Sequence, residues 1–378
     1  MVFFFSGILI YLNFLCVLGR KHIKLIAFLL LIFAWVLYWG NTDNPDYANY
    51  TRLYTSILNG EDIFIGTDLQ YGFRLLIKLG TIMGMSFEVF LAVTTLLSFL
   101  LIHSTVKRFS GNYNYIYLLY FIFPFFIDVV QFKNFIAMSI FIYSIKYLLN
   151  SSFKSKILYC ALILIAGTIH YAALFYLPMV LINIKKKNTL IRFIAGFSII
   201  GSLIILINGK QIPFINELIS IIFESEKIEF WLDSKTNLGF ILFWALQIFS
   251  FVMAKVSRDM FLKNTKNPEN ALYCYNNKDI VAKRLMFVNL VYWINIMAFL
   301  YLPFYLLASS FTRLMRNIIL LNYISFSLTN SVLKNKSDKI TFNLLVFGYV
   351  FIFFIVLLYP HYEAVIEAVL KNNIFFTP

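Results

Sequence analysis

The sequence predicts an all-α, polytopic membrane helical bundle. The chain of 378 residues is 61% hydrophobic and only 13% charged, whereas soluble domains carry roughly 45–50% apolar and about 25% charged residues. Its apolar stretches, such as 25–39, 193–208 and 342–359, approach or reach the roughly 17–25 residues that cross a hydrocarbon core as a helix. Within those stretches apolar residues run on without alternating, which argues for helices and against a barrel. A net charge of +14 would also suit a nucleic-acid binder. Here Lys and Arg concentrate in short loops between spans, the cytoplasmic signature of membrane proteins, so the expected partner is the lipid bilayer and no nucleic acid.

With the basic loops placed inside, one topology fits. Loops 19–24, 107–114, 146–156, 185–192, 255–284 and 334–339 hold 22 of the 32 Lys and Arg residues, and only the acids Asp259, Glu269, Asp279 and Asp338. The N-terminus is external. Its apolar stretch has no preceding positive charge and is followed by Arg20, Lys21 and Lys24, a reverse signal-anchor rather than a cleaved signal peptide. Ten full spans follow at about 2–18, 25–39, 87–106, 115–130, 132–149, 193–208, 238–254, 285–308, 314–333 and 340–359, and the C-terminal tail is external. The chain reads as a single membrane domain, 1–378, with external loops at about 40–86 and 209–237 and a cytoplasmic loop at about 255–284. Cys16, Cys160 and Cys274 show neither pairing nor metal spacing.

Segment 157–184 breaks the pattern. Lys154 and Lys156 precede it and Lys185–Lys187 follow it, so both ends belong inside. About 28 residues are too many for one comfortable span and too few for two. A pair of short or re-entrant helices with a turn near His170–Tyr171 satisfies both constraints; one tilted helix is the alternative. Re-entrant backbone requires burial in protein or a wet cavity.

The first external loop contains Asn41-Thr-Asp-Asn-Pro-Asp-Tyr. Asn44 suits a helix cap, with Pro45 at the first position and Asp46 in the first turn. Tyr47, Tyr50, Tyr54 and Ile57 then recur at helical spacing. Residues 71–85 read as a second interfacial helix. Loop 209–237 is acidic and aromatic, with Glu217, Glu224, Glu226, Glu229, Trp231 and Asp233.

Ionisable residues near membrane depth are costly and are candidates for function. Asp128 and Lys133 flank the external turn between two spans, and parity brings His170 to the same side, with Asp43, Asp46, Arg52, Arg313 and Arg316. Such a face suits an anionic, lipid-linked substrate: cations stabilise a departing diphosphate, Arg as a planar fork and Lys as a point charge. A histidine or carboxylate can take a proton from an attacking hydroxyl. Tyr47 and Tyr50 offer rings for sugars. Each feature also has a plainer explanation: Asp128 and Lys133 as an interfacial ion pair, His170 as a helix-end histidine, Arg313 and Arg316 as snorkelling anchors, and the tyrosines as interfacial packing. Asp43 and Asp46 alone do not make a metal site, and no metal or other cofactor is expected.

The motifs resemble those of the EpsG-type proteins, which belong with the Wzy-type polymerases of capsule, exopolysaccharide and O-antigen. The resemblance rests on Asp46-Tyr-x-x-Tyr50-x-x-x-Tyr54, on Gln70-Tyr-Gly-Phe-Arg-Leu-Leu and on Gly84-Met-Ser-Phe87. Phe132-Lys-Asn-Phe-Ile-Ala137 stands where that family has Arg-Gln-x-Ile-Ala. Ala166-Gly-Thr-Ile-His170-Tyr-Ala-Ala-Leu, with Leu177-Pro178, is similar to its Ala-x-x-x-His-x-Ser-Ala-Leu segment, and Phe311-Thr-Arg313-Leu to a later external arginine. Lys133 for Arg, Asn134 for Gln and Ala172 for Ser are departures. The resemblance covers about 40–185 well and the rest loosely.

It implies glycosyl transfer on the external face of a bacterial cytoplasmic membrane. A glycan on undecaprenyl diphosphate passes to the sugar of an incoming undecaprenyl-diphosphate-linked oligosaccharide, without a nucleotide sugar. A chain-length regulator and a flippase are the protein partners to expect. The residues then divide into His170 or Asp46 as base, Lys133, Arg313 and Arg52 as diphosphate contacts, and Arg316, Asp128, Tyr47 and Tyr50 as further substrate contacts. Two other classes compete. A lipid-linked oligosaccharide flippase or transporter predicts paired repeats with broken helices in both halves, and only one broken segment is evident. A membrane O-acyltransferase predicts donor machinery on the cytoplasmic side, away from His170.

Overall fold

A computed structural model describes residues 2–19, 21–64, 70–210, 238–266 and 278–376, all of them in helices, turns and connecting segments. Most of loop 209–237 and the middle of loop 255–284 lie outside the described residues. The helices are α1 (Val2–Leu18), α2 (Lys24–Trp39), α3 (Tyr47–Leu58), α4 (Tyr71–Ile82), α5 (Phe87–Phe109), α6 (Tyr113–Ile122), α7 (Phe125–Val130), α8 (Phe132–Ser144) and α9 (Phe153–Ile169). A 3₁₀ limb, Tyr171–Asn183, precedes α10 (Lys187–Ile207), α11 (Gly239–Thr265), α12 (Lys278–Met297), α13 (Thr312–Val332) and α14 (Lys336–Phe353).

Six described helical stretches are long and apolar enough to cross a membrane: Phe87–Phe109, Phe132–Leu149, Lys187–Ile207, Gly239–Thr265, Lys278–Leu306 and Lys336–Lys371. α1 and α2 are apolar but shorter. Six of the ten expected spans are matched in this way, and two of the remaining four differ in kind. The segment expected at 115–130 is divided between α6 and α7 at Phe123-Pro124, where proline cannot continue the helix ladder. The segment expected at 314–333 is α13, which is polar for a span but is buried along its whole length apart from Arg313 and Ser331. Its polar side chains bond to neighbouring helices. Asn322 meets Ser250, Asn295 and Tyr349, Ser325 and Thr329 meet Ser257, and Ser327 meets Ser110. Such bonds contribute roughly 0.6–2 kcal/mol each within a membrane bundle. They make α13 the axis around which the other helices are arranged.

Irregular backbone inside an apolar bundle needs internal partners, and buried tyrosines provide them. The Tyr323 hydroxyl donates to the Phe123 carbonyl at the α6–α7 break, at 2.9 Å. Tyr38 donates to the Asp128 carbonyl at 2.7 Å, Tyr159 to that of Tyr176 at 2.8 Å and Tyr301 to that of Phe175 at 3.1 Å. These four tyrosines therefore serve broken helices rather than facing sugars.

Segment 157–184 is a helical pair. The backbone at His170 is extended, with φ −148° and ψ 115°, and α9 packs on the 3₁₀ limb. Tyr159 meets Tyr176 across this contact, and Gly167 leaves room for Leu174, into which any Cβ would run. The single tilted helix is thereby set aside. In the first loop, α3 starts at Tyr47, two residues later than expected. Asn44 instead closes the preceding turn, its Oδ1 accepting the Asp46 amide at 3.1 Å. α4 ends at Ile82, ahead of Gly84, whose φ of +68° favours glycine.

Candidate functional site

Four chain segments meet at one end of the bundle: the N-terminus of α3, the α7–α8 turn, the turn at His170, and the first turn and a half of α13. The α7–α8 turn follows from the Pro124 break, which leaves α7 only six residues long and puts Asp128, Gln131 and Lys133 within one short stretch. α13 contributes Arg313 and Arg316, three residues apart and so on neighbouring positions of its surface. Arg313 is partly exposed, whereas Arg316 is 4% exposed and Asp128 fully buried.

The deepest layer is the Asp128–Arg316 pair. Asp128 Oδ1 lies 3.9 Å from Arg316 Nε. Asp128 Oδ2 accepts from the Tyr120 hydroxyl at 3.0 Å, and Arg316 Nη2 donates to Gln131 Oε1. Asn134 and Asn317 exchange two amide hydrogen bonds, at 3.1 and 3.0 Å. Tyr176 donates to the Leu314 carbonyl at 3.1 Å, tying the 3₁₀ limb to α13. The buried charges are thus paired, which is what makes them tolerable away from water.

The outer layer contains His170, Arg313, Lys133, Asp46 and Tyr50. Arg313 Nη1 and His170 Nε2 are 2.8 Å apart, and Arg313 Nε donates to the Ser310 carbonyl at 2.8 Å. Arginine has five N–H donors and no acceptor, so Nε2 accepts, and the imidazole is neutral with its proton on Nδ1. That Nδ1 is buried without a hydrogen-bond partner. Lys133 Nζ lies 5.1 Å from the Phe73 ring centre and 6.0 Å from that of Tyr50, an arrangement in which the ring faces favour the cation. Asp46 is half-buried; burial raises its pKa above the usual aspartate value, and the fields of Arg313 and Lys133 pull the other way. Burial, and then the charge of Asp46, push the Tyr50 hydroxyl upward, keeping it a neutral donor.

Of the residues singled out from sequence, Asp46, Tyr50, Asp128, Lys133, His170, Arg313 and Arg316 are brought together. Arg52 and Tyr47 are not. Arg52 is exposed on the outer side of α3, beside Thr51, Thr55 and Asn59, and the Tyr47 ring packs on Phe87 at 5.5 Å. Gln131, Tyr120, Tyr38 and the Asn134–Asn317 pair escaped sequence reading. Gln131 had a signal, its place two residues before Lys133 in a polar break between apolar helices. The others are polar residues within helices and come to notice only once their partners are known. Asn134, one of the departures from the family motif, is committed to Asn317. Among the described residues no group of three His, Cys, Asp or Glu side chains could hold a metal ion.

A polytopic helical bundle with three cations, a neutral histidine and two carboxylates at one end defines a membrane protein equipped to meet an anionic group there. The chain belongs to the EpsG family, whose model matches residues 21–368. That membership makes it a membrane protein of the surface-polysaccharide polymerase type. Neither a curated protein nor a solved structure matches it.

Proposed function

We propose that this protein joins lipid-diphosphate-linked oligosaccharide units into a surface polysaccharide on the external face of the bacterial cytoplasmic membrane, with both termini on that face. The observation that carries the reading is the convergence of Lys133, Arg313 and Arg316 with Asp46 and His170 at one end of the bundle. Arg313 gives two of its five N–H groups to Ser310 and His170, which leaves three to meet a diphosphate. Lys133 adds a point charge beside it. Arg316 lies deeper and is tied to Asp128 and Gln131, so its part is to set the local field and hold the α7–α8 turn.

In this reading the acceptor sugar's hydroxyl oxygen attacks the anomeric carbon of the donor glycan. Asp46 takes the hydroxyl proton. The bond from that carbon to the diphosphate oxygen breaks, and undecaprenyl diphosphate leaves with the electron pair, stabilised by Arg313 and Lys133. The raised pKa of Asp46 suits a base that works closer to neutrality. His170 orients Arg313, because its Nε2 lone pair already accepts from that guanidinium. Tyr50, neutral and beside Asp46, donates to a sugar oxygen. Flippase and chain-length-regulator proteins are the partners such a reaction needs, upstream and downstream.

The test is a deletion strain whose lipid-linked glycans are extracted and localised. Single repeat units accumulating on the outer face, with loss of polymer, support the reading. Units trapped on the inner face would assign the protein to translocation instead.

A further inference from the structure

Residues 372–376 return from the far end of the chain to the loop that carries Asp46. Gly40, just after α2, allows the approach: a Cβ there would lie 2.7 Å from Asn373 Oδ1 and 2.8 Å from a Phe375 ring carbon. Thr42 N donates to Asn372 O at 3.0 Å and Ile374 N to Gly40 O at 2.9 Å, an antiparallel bridge centred on Asn41 and Asn373. Both asparagines are buried, at 1% and 0% exposure. Asn373 Nδ2 donates to the carbonyls of Val36 and Leu37, at 3.3 Å each, capping the open end of α2. The Phe375 ring packs on Trp39 at 4.6 Å, edge to face.

The bonds continue towards the site. Asn41 Nδ2 donates to the carbonyls of Ala368 and Asn372, at 3.0 Å each. Asn41 Oδ1 accepts from Asn44 Nδ2 at 2.7 Å, and Asn44 Oδ1 accepts from the Asp46 amide at 3.1 Å. Asn372 Nδ2 holds the Asp43 carboxylate at 3.0 Å. An unbroken run of side-chain amides thus links the returning segment to the backbone of Asp46. Loops are ordinarily more mobile than the elements they connect; here two buried amides hold one in place. Buried amides carry a cost unless they are bonded, and the bonds described above all serve this junction.

We propose that residues 372–376 form a clasp that fixes Asp46 for proton transfer, with Asn41 and Asn44 as positioning residues. The proposal rests on the polymerase reading for the role of Asp46, but the clasp itself is independent of that role. Misplacing a reacting group by about 1 Å can cost on the order of 10²-fold in rate, whereas binding of the donor diphosphate by Arg313 and Lys133 does not pass through the clasp. Loosening it therefore lowers kcat and leaves donor KM in place.

The test uses the full chain in lipid vesicles, with lipid-linked repeat units, and three changes, Asn41→Ala, Asn44→Asp and a chain ending at Lys371, with Asn44→Ala alongside for comparison. Asn44→Asp keeps an acceptor for the Asp46 amide, but its carboxylate has no hydrogen to donate to Asn41. The expected result is a kcat loss of roughly 10–100-fold in all three with unchanged donor KM. The activity-independent readout is the rate at which an impermeant thiol reagent labels Asp46→Cys. Ending the chain at Lys371 should raise that rate several-fold. If Asn44→Asp polymerises like the unaltered protein while Asn44→Ala does not, the cap is local and the clasp is refuted. Unchanged labelling after truncation also refutes it. If the unaltered protein makes no polymer but truncation still raises labelling, the clasp stands and the polymerase reading falls.

Discussion

Replacing His170 by glutamine separates a histidine that orients Arg313 from one that takes a proton. The 2.8 Å contact between Arg313 Nη1 and His170 Nε2 is a charge-assisted hydrogen bond, worth about 1.5–3 kcal/mol. Lost outright, as in His170→Ala, it would slow a step that depends on Arg313 by roughly 10–150-fold. A glutamine side-chain oxygen can accept from the same guanidinium, so His170→Gln should fall by no more than about 10-fold. Removal of a general base costs more, about 10²–10⁴-fold, and glutamine cannot replace one. Single-turnover polymerisation by purified protein in vesicles, with acceptor binding measured separately, reads the difference. A His170→Gln protein that binds acceptor normally yet is as inactive as His170→Ala would refute the tautomer argument and make His170 the base.

Other perturbations address the remaining parts of the site. Burial holds the Asp46 pKa above its usual value, so the rate should rise with pH through a midpoint above the ordinary aspartate value of about 3.9, and Asp46→Asn should abolish that limb together with turnover; an unchanged pH profile in Asp46→Asn removes it from the chemistry. The same shift means that the folded protein holds this proton longer than the unfolded chain, so the group's contribution to stability falls as pH rises between the two values. Lys133→Ala should abolish polymer at normal protein abundance, and Lys133→Arg should retain it; normal-length polymer from Lys133→Ala would reduce the residue to an interfacial anchor. Asp128→Ala leaves Arg316 buried without its carboxylate partner, which costs about 3–5 kcal/mol and should lower the melting temperature clearly; an unchanged melting point would show that the pair contributes nothing to folding. Impermeant thiol reagents should label Asn59→Cys but not Asn264→Cys on intact cells, and the opposite pattern would invert the orientation.

Helical class, most helix positions and the candidate cations were legible because composition and charge asymmetry act at the level of whole segments. The pair at 157–184 was legible for the same reason: two basic flanks around about 28 residues leave little choice of path. The α6–α7 break was not anticipated, although Pro124 marks it, because the apolar run continues on both sides. The span-like reading of α13 concealed its burial, since Asn317, Asn322 and Asn330 acquire meaning only from the helices around them. Membership of the first external loop groups Arg52 with Asp46, but five helical residues lie between Arg52 and the cap position of Asp46, and Arg52 is exposed on the outer side of α3. The neutral state of His170 required the position of Arg313, 143 residues away in the chain.

The most direct measurement of the central claim is made with the purified protein in vesicles, given only undecaprenyl-diphosphate-linked repeat units. Lipid-linked glycans of two or more repeats should form, with one undecaprenyl diphosphate released for each bond made and no nucleotide sugar added. Repeat units that stay single, or lengthen only when a nucleotide sugar is supplied, would contradict it.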